Sequence, residues 1–257
     1  MNHLRVILND KRDEVKKLKD LIEEDTILRK QRKPLNFKGI FKKGGMAFIA
    51  EIKKMSPSIR EIVKELDVEK IAQIYESSGV DAISVVTDKK YFGGDCSLIK
   101  DIKRVVKIPV LRKDFIIDEV QIYQTYDSGS DAILLIAGIL NHNQLKRFVK
   151  IARSLGLETV VEVHNLREIH KALDTDTEII GVNNRNLRNF VVDINVSLRL
   201  RPFIPQNYFT ISESGIEKPQ DVQKLRDAGF DGILVGTSIL KAEDISKKIK
   251  ELKWKNF

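Results

Sequence analysis

Short apolar runs rich in β-branched residues occur eight times along this chain and alternate with amphipathic stretches. Strands that are almost continuously apolar, with helical segments between them, are typical of a parallel sheet buried on both faces. Eight strand–helix units predict an α/β protein with a closed (β/α)8 TIM barrel. The apolar runs span residues 47–53, 81–87, 108–113, 131–137, 159–164, 178–183, 208–214 and 232–237.

The amphipathic stretches end in the residue type that commonly follows a helix. Those over 67–79, 118–129, 143–156 and 218–229 each finish at a glycine, which helix C-termini favour. An open, doubly wound sheet is the alternative architecture. No glycine-rich nucleotide fingerprint follows the first apolar run, so the pattern favours the barrel.

The residues before the first strand carry many charges and a helical pattern. We interpret residues 1–45 as an N-terminal helical extension packed on a barrel of residues 46–257. No linker rich in Gly, Ser or Pro separates the two parts. The sequence therefore predicts a single domain over 1–257.

Composition narrows the class of protein. The 257 residues are 42% hydrophobic and 32% charged, which is typical of a globular chain. The longest apolar run, 132–140, is too short to span a membrane, and the N-terminus becomes charged before a signal-type apolar segment develops. Cys96 is the single cysteine, which excludes an intrachain disulfide and suits a reducing compartment. We expect a cytoplasmic protein without a membrane partner.

The formal net charge is +8, which is compatible with nucleic-acid binding or with a general field that attracts small anions. Lys and Arg are dispersed and interleaved with Asp and Glu, as in residues 11–25. That arrangement is typical of solvated helix faces, and it disfavours a nucleic-acid partner.

Polar and charged residues recur where the predicted strands end, which is where barrel enzymes carry their chemistry. Any one of them could be a structural ion pair, but their recurrence at one rim indicates an active site with both acid and base partners. They are Glu51, Lys53, Arg112, Lys113, Asp114, Glu162, Asn183, Asn184, Arg185, Glu213, Ser214, Gly215, Gly236, Thr237 and Ser238.

The ends of the seventh and eighth strands, SESG and VGTS, differ from the others in having small residues. Barrels bind phosphate there, often with a short extra helix, and residues 238–244 could supply that helix. Phe92 and Phe115 follow strands two and three, where they could be plain packing or could line a pocket for an aromatic substrate. His164 has no second ligand at metal spacing, so a zinc site is not favoured.

Seven motifs, in order, resemble those of the indole-3-glycerol phosphate synthase family: IAEIKKMSPS, TDKKYFGGD, VLRKDFIID, VEVH, GVNNRNLRNFVVD, ISESGI and LVGTSIL. The resemblance covers nearly the whole chain. It implies a monomeric (β/α)8 barrel that closes the ring of 1-(2-carboxyphenylamino)-1-deoxyribulose 5-phosphate. Carbon dioxide and water are lost, indole-3-glycerol phosphate is formed, and neither a cofactor nor a metal is needed.

The resemblance also implies roles for the matching positions. Lys113 would be the general acid, Glu162 would assist proton removal and dehydration with support from Glu51, and Lys53 would lie near the substrate carboxylate and phosphate. Asn183 would orient the reacting part, and Arg185 would pair with the anthranilate carboxylate. Glu213 and Ser214 would hold sugar hydroxyls or neighbouring side chains, whereas the residues expected at the phosphate are Ser56, Gly215, Gly236 and Thr237.

One departure from the family pattern stands after Ser-Pro-Ser, where Ile59 and Arg60 replace the usual Lys-Gly. Arg60 could restore the missing charge in a loop that we expect to close over the substrate. The alternative enzyme is another ribulose-phosphate barrel such as phosphoribosylanthranilate isomerase. That enzyme needs a Cys–Asp pair, and Cys96 lies beyond strand two and not at the end of strand one.

Overall fold

Eight parallel strands close into a barrel in which each strand pairs with the next and the last pairs with the first. The computed structural model describes residues 3–22, 32–57 and 67–253. Each strand coincides with one of the predicted apolar runs, so the predicted (β/α)8 TIM barrel is confirmed. The strands are β1 (Ala47–Ile52), β2 (Ala82–Val86), β3 (Val110–Lys113), β4 (Ala132–Ile136), β5 (Glu158–Val163), β6 (Ile179–Asn183), β7 (Phe209–Glu213) and β8 (Gly232–Val235).

Helices alternate with the strands and form the outer layer. Several begin at a side-chain cap: Asn141 accepts from the backbone N–H of Gln144, and Asp67 accepts from that of Lys70. The α-helices of the described residues are α1 (His3–Lys19), α2 (Val68–Ser77), α3 (Lys89–Phe92), α4 (Ser97–Val105), α5 (Val120–Ser128), α6 (His142–Ser154), α7 (Leu166–Leu173), α8 (Asn195–Leu200), α9 (Pro219–Asp227), α10 (Thr237–Leu240) and α11 (Ile245–Lys253).

The predicted glycine stops are confirmed. Gly129 directly follows α5 with a φ of +95°, a left-handed conformation that glycine adopts without a Cβ clash. In the described part of the chain, no helix is both long enough and apolar enough to cross a membrane.

Two apolar layers result from the alternation of side chains along each strand. One set, which includes Ile49, Leu111 and Ile211, fills the barrel interior. The opposite set, which includes Ile83 and Ile180, packs against the surrounding helices. Because both faces are buried, polar side chains on the strands are confined to the barrel ends or must have partners.

The N-terminal extension contacts both ends of the barrel. Ile7 of α1 belongs to the interior cluster. Lys11 of the same helix lies beside Asp88 and Asp114, which follow β2 and β3. A 3₁₀ helix over Lys38–Lys42 closes the opposite end, where the ring of Phe41 stacks on Phe209 at 5.0 Å between centroids.

Candidate active site

Four charged side chains reach the barrel mouth from alternate strands. Glu51, Lys113, Glu162 and Glu213 belong to β1, β3, β5 and β7. In a barrel, alternate strands contribute the side chains of one interior layer, and that layer is normally filled by branched apolar residues. Here the layer at the carboxyl ends carries charge, which is the arrangement that the strand-end pattern predicted.

The ammonium of Lys113 joins two of the carboxylates. Lys113 Nζ donates to Glu162 Oε2 at 2.8 Å and to Glu213 Oε2 at 2.6 Å. Both glutamates are 1% exposed. A buried carboxylate is costly unless it is paired, so one lysine compensates two otherwise unfavourable charges.

A second ion pair lies on β1 and just beyond it. Lys53 Nζ donates to Glu51 Oε1 at 2.5 Å, and Glu51 is 4% exposed. The two residues are two apart in sequence and point to the same side of the chain, as the sequence predicted. Burial raises the pKa of Glu51, but Lys53 and Lys113 outweigh it and the net pKa is lowered.

The two carboxylates on Lys113 differ in their electrostatic surroundings. Burial raises the pKa of Glu213 to about 7, and the neighbouring charge of Glu162 adds to this effect against the pull of Lys113. Burial acts on Glu162 as well, but Lys113 and His164 outweigh it and hold its pKa below the usual range. Lys113 is desolvated too, yet the glutamates raise its pKa, so it remains an ammonium ion at neutral pH.

Two glycines provide the space that these carboxylates occupy. A Cβ on Gly181 would lie 2.2 Å from Glu213 Oε1, and a Cβ on Gly236 would lie 2.6 Å from Glu51 Oε1. Both separations are shorter than any van der Waals contact. Glycine at these two positions therefore fixes where the carboxylates can lie.

A cavity of about 260 Å³ opens between the ends of β7 and β8. At the start of α10 the N–H groups of Ile239 and Leu240 donate to the carbonyl of Gly236, so those of Thr237 and Ser238 are the first-turn groups without an acceptor inside the helix. Ser214 (φ +67°) and Gly215 (φ +77°) both have left-handed backbone there. A short helix does follow Gly236, but α10 spans Thr237–Leu240 and not residues 238–244. The cavity is lined by Glu51, Lys53, Lys113, Arg185, Ser214, Gly215, Gly236 and Thr237, among others.

A narrower pocket of about 70 Å³ adjoins this cavity and shares Glu51, Lys53, Lys113, Arg185 and Ser214 with it. Its other polar walls are formed by Asp88, Asp114, Glu162 and Asn183. The apolar part consists of Val86, Phe92, Phe115, Leu134, Ile136, Leu187 and Phe190.

Phe92 and Phe115 therefore lie at the pocket, with ring centroids 6.2 Å apart. Leu187 and Phe190 complete the apolar wall and had not been singled out from the sequence. Both stand in the segment that follows Arg185, so their proximity to a strand-end arginine was the available signal. Asn183 accepts the backbone N–H of Arg185 at 2.9 Å and faces the same pocket.

Two strand-end residues lie outside both cavities. Arg112 is 1% exposed and donates to Asp114, Thr87 and Thr125, away from the barrel mouth. Asn184 donates to Ser212 and to the carbonyl of Ser214, so it joins β6 to β7. These side chains support the site without lining the cavity between β7 and β8.

Ser56 is buried but is not among the described residues that line either cavity. Ile59 and Arg60 lie outside the described residues. Across the described ranges, His, Cys, Asp and Glu side chains form no group of three that could hold a metal ion.

His164 is the polar residue at the site whose contacts sequence reasoning missed. Its Nε2 lies 3.2 Å from Glu162 Oε1, and its Nδ1 lies 3.1 Å from Glu168 Oε2. The signal was present in the spacing, because Glu162 and His164 are two apart on one strand face and Glu168 follows four residues later. The spacing of metal ligands does not reveal these carboxylate contacts.

Relatives of known name resemble this chain along its length. A Petrotoga mobilis indole-3-glycerol phosphate synthase is 41% identical, covering 97% of this chain and 96% of that protein. The Chlorobium phaeovibrioides protein of the same name is 39% identical over the full length of both. The fold is shared more widely: a Pyrococcus furiosus thiamine phosphate pyrophosphorylase superposes with a TM-score of 0.60 at 16% identity, covering 81% of this chain and 94% of that one.

Residues 4–252 match the indole-3-glycerol phosphate synthase family as a whole. The match includes the strand ends that carry Glu51, Lys113, Glu162 and Glu213. With a match of this length and relatives of such identity and coverage, the chain belongs to the indole-3-glycerol phosphate synthase family.

Proposed function

We propose that this chain converts 1-(2-carboxyphenylamino)-1-deoxyribulose 5-phosphate into indole-3-glycerol phosphate by general acid–base catalysis at the barrel mouth. The observation that carries the proposal is the position of Lys113, a partly exposed ammonium held between the buried Glu162 and Glu213 beside the two adjoining cavities. The isomerase alternative is not favoured, because the family match is to the synthase.

The two cavities suggest how such a substrate would be oriented. The sugar phosphate would occupy the cavity at Ser214, Gly215, Gly236 and Thr237, where backbone N–H groups can bind an anion. The anthranilate ring would enter the apolar pocket, with its carboxylate near Arg185 and Lys53. The substrate ketone, midway between the two ends, would then lie near Lys113. Ser56 would contact the phosphate, as the resemblance to the family implies.

Ring closure would come first. The ring carbon that bears the carboxylate attacks the ketone carbon, and Lys113 donates a proton to the ketone oxygen, which becomes a hydroxyl group. The bond to the carboxylate then breaks, and its electron pair restores the aromatic ring as carbon dioxide leaves. Asn183 would orient the reacting part during these steps.

Dehydration would follow. Glu162 accepts a proton from the carbon next to nitrogen, the hydroxyl group takes up a proton and leaves as water, and the indole double bond forms. Glu51, held by Lys53, would support this proton transfer. One proton is consumed overall, because a carboxylate anion becomes neutral carbon dioxide.

We also propose a domain organisation, an oligomeric state and a location for this chain. We infer one domain, because the N-terminal extension contacts both ends of the barrel. A monomer is proposed because the resemblance to the family implies one. A cytoplasmic location without a nucleic-acid or membrane partner is supported by the dispersed charge, the single cysteine and the short apolar runs.

The test is to follow indole-3-glycerol phosphate fluorescence after adding the purified chain to the substrate. The wild type should form product, and Lys113→Ala should lose roughly 10²- to 10⁴-fold in kcat, which is what a general acid contributes. Lys100→Ala, at an exposed lysine of α4 paired with Asp127, is the matched control and should retain activity. Absence of product from a folded wild type, or an active Lys113→Ala, would contradict the proposal.

A further inference from the structure

Glu162, His164 and Glu168 form a chain of contacts that leads outward from the active site. Glu162 presents Oε2 to Lys113 and Oε1 to His164 Nε2, at 2.8 and 3.2 Å. Within the described residues, Glu162 Oε1 and His164 Nε2 have no well-aligned hydrogen bond of their own. The contact is an ion pair when the imidazole ring is protonated, and the other oxygen of Glu162, Oε2, accepts from Lys113.

Glu168 holds the imidazole ring in place. Its Oε2 accepts the backbone N–H of His164 at 2.8 Å and lies 3.1 Å from Nδ1, while its Oε1 accepts from the side-chain amide of Asn165 at 2.6 Å. A Cβ on Gly138 would lie 3.0 Å from Glu168 Oε1, so glycine there leaves room for the carboxylate. The ring is anchored from the side opposite to Glu162.

Both ring nitrogens thus face a carboxylate oxygen, which favours the doubly protonated ring because each nitrogen can then donate. Burial lowers the pKa of His164, but the two glutamates outweigh it and raise that pKa to about 10. Glu162 consequently contacts two cations, the ammonium of Lys113 and the imidazolium of His164. Glu213 shares only Lys113 with it, and its Oε1 has no hydrogen-bond partner among the described residues.

We propose that His164, anchored by Glu168, is a positioning residue that directs Glu162 towards Lys113 and keeps Glu162 ionised, so that Glu162 and not Glu213 serves as the base. The inference rests on the proposed function. It assigns different tasks to two buried glutamates that the distances to Lys113 alone do not distinguish.

Other charged groups surround the contacts among Glu162, His164 and Glu168. Lys171 of α7 donates to the carbonyls of Ala137 and Leu140 and not to Glu168. Glu51 approaches Lys113 and Glu213 from β1. Arg185, Arg188 and Asp193 line the outer cleft that His164 and Glu168 also face. These groups remain unchanged in the variants below.

The decisive experiment is the pH dependence of kcat for His164→Gln. Without the imidazolium, Glu162 has only Lys113 as a close cation, as Glu213 does, so its pKa should rise and the acid limb of kcat should move to about pH 7. At pH 6 kcat should fall about 10- to 100-fold, a part of the roughly 10²- to 10⁴-fold that a general base contributes. At pH 8 the loss should be smaller, because Glu162 is ionised again.

Glu168→Gln leaves the imidazole present but removes its anchor, so its acid limb should move in the same direction by a smaller amount. His170→Gln changes an exposed histidine on the same helix and should leave the profile unchanged. Thermal melts and near-UV circular dichroism establish that each variant is folded. If His164→Gln does not fold, the position of the acid limb of kcat in Glu168→Gln tests the same inference.

An unmoved acid limb, with kcat within twofold of wild type in the folded variants, would overturn the inference. A carboxyl titration by ¹³C NMR of labelled glutamate provides a reading independent of turnover: His164→Gln should bring a second buried carboxyl into the range near neutral pH. Lack of product from the wild type would instead refute the proposed function, so the two failures can be distinguished.

Discussion

The carboxylate of Glu51 occupies the space that a side chain on Gly236 would need, since a Cβ there would lie 2.6 Å from Glu51 Oε1. The φ of Gly236 is −130°, outside the left-handed region that favours glycine. Its role is steric: it permits Glu51, with Lys53 bound to it, to lie against the cavity between β7 and β8.

Gly236→Ala should therefore reduce activity more than stability. The clashing atom is the end of a flexible side chain, so Glu51 can move away and we expect the free energy of unfolding to change by less than about 1 kcal/mol. The displaced Glu51–Lys53 pair should lower kcat/KM by roughly tenfold or more. Steady-state kinetics and urea unfolding measure the two effects.

The control is Gly39→Ala, where a Cβ would also approach a flexible side chain, Asn36, at 3.1 Å, but at the far end of the barrel. It should leave kcat/KM unchanged. Equal losses of activity in the two variants would show that Gly236 has no special relation to Glu51.

Much of this site could be predicted because parallel strands buried on both faces have few reasons to carry charge. Glu51 and Glu162 stand out within apolar runs, and the carboxyl ends of barrel strands form one rim. Neighbouring residues were harder to separate. Arg112 and Lys113 are adjacent and must point to opposite faces, but the sequence does not say which one faces the interior.

Contacts across the barrel could not be predicted. Lys113 meets Glu162 and Glu213 because of strand register and side-chain rotamers, and residues 49 and 100 positions away in sequence give no local signal for either. The role of His164 was hidden for another reason. Histidine was assessed as a metal ligand, whereas its partners are carboxylates on its own strand and on the next helix.

The raised pKa of Glu213 predicts a dependence of stability on pH. An ordinary glutamate has a pKa of 4.5, and burial raises this one to about 7, so the folded state holds a proton that the unfolded state releases. The free energy of unfolding should fall as pH rises from 4.5 to 7, and the loss is complete above 7. Glu213→Gln should remove this loss and be more stable than wild type at pH 8 by roughly 1–3 kcal/mol.

Urea unfolding at pH 4.5 and pH 8 tests this prediction. At the lower pH wild type and Glu213→Gln should be similar, because the carboxyl group is then protonated in both states of the wild type to a large extent. A variant that is equally or less stable at pH 8 would contradict the assignment of the raised pKa to Glu213.

Lys11 should be important for stability although it belongs to the N-terminal extension. It is 1% exposed and lies 2.9 Å from both Asp88 and Asp114. Lys11→Met would leave these buried carboxylates without that cation and should lower the free energy of unfolding by about 3–5 kcal/mol. Lys16→Met on the same helix removes an exposed pair with Asp13 and should change it by less than about 1 kcal/mol.

The same contact predicts behaviour in acid. Burial raises the pKa of Asp114, but Lys11 and Arg112 outweigh it and lower the pKa from 3.8 to about 2. The stability it contributes is therefore present above pH 3.8 and lost as the pH falls through about 2. In Lys11→Met the acid transition should begin at a higher pH, which circular dichroism during acid titration would detect. An unchanged transition would indicate that Arg112 alone keeps Asp114 ionised.

Arg185 should distinguish substrate from product. In the proposed reaction it pairs with the anthranilate carboxylate, which is lost as carbon dioxide, so the product no longer carries its partner. A hydrogen bond to a charged group contributes about 1.5–3 kcal/mol, so Arg185→Gln should weaken substrate binding by roughly 10- to 100-fold. Inhibition by indole-3-glycerol phosphate should change by less than about threefold, because its phosphate contacts are retained.

Arg199→Gln, at an exposed arginine paired with Asp193, should alter neither constant. Equal weakening of substrate and product would place Arg185 at the phosphate, whereas no weakening of either would remove it from the site.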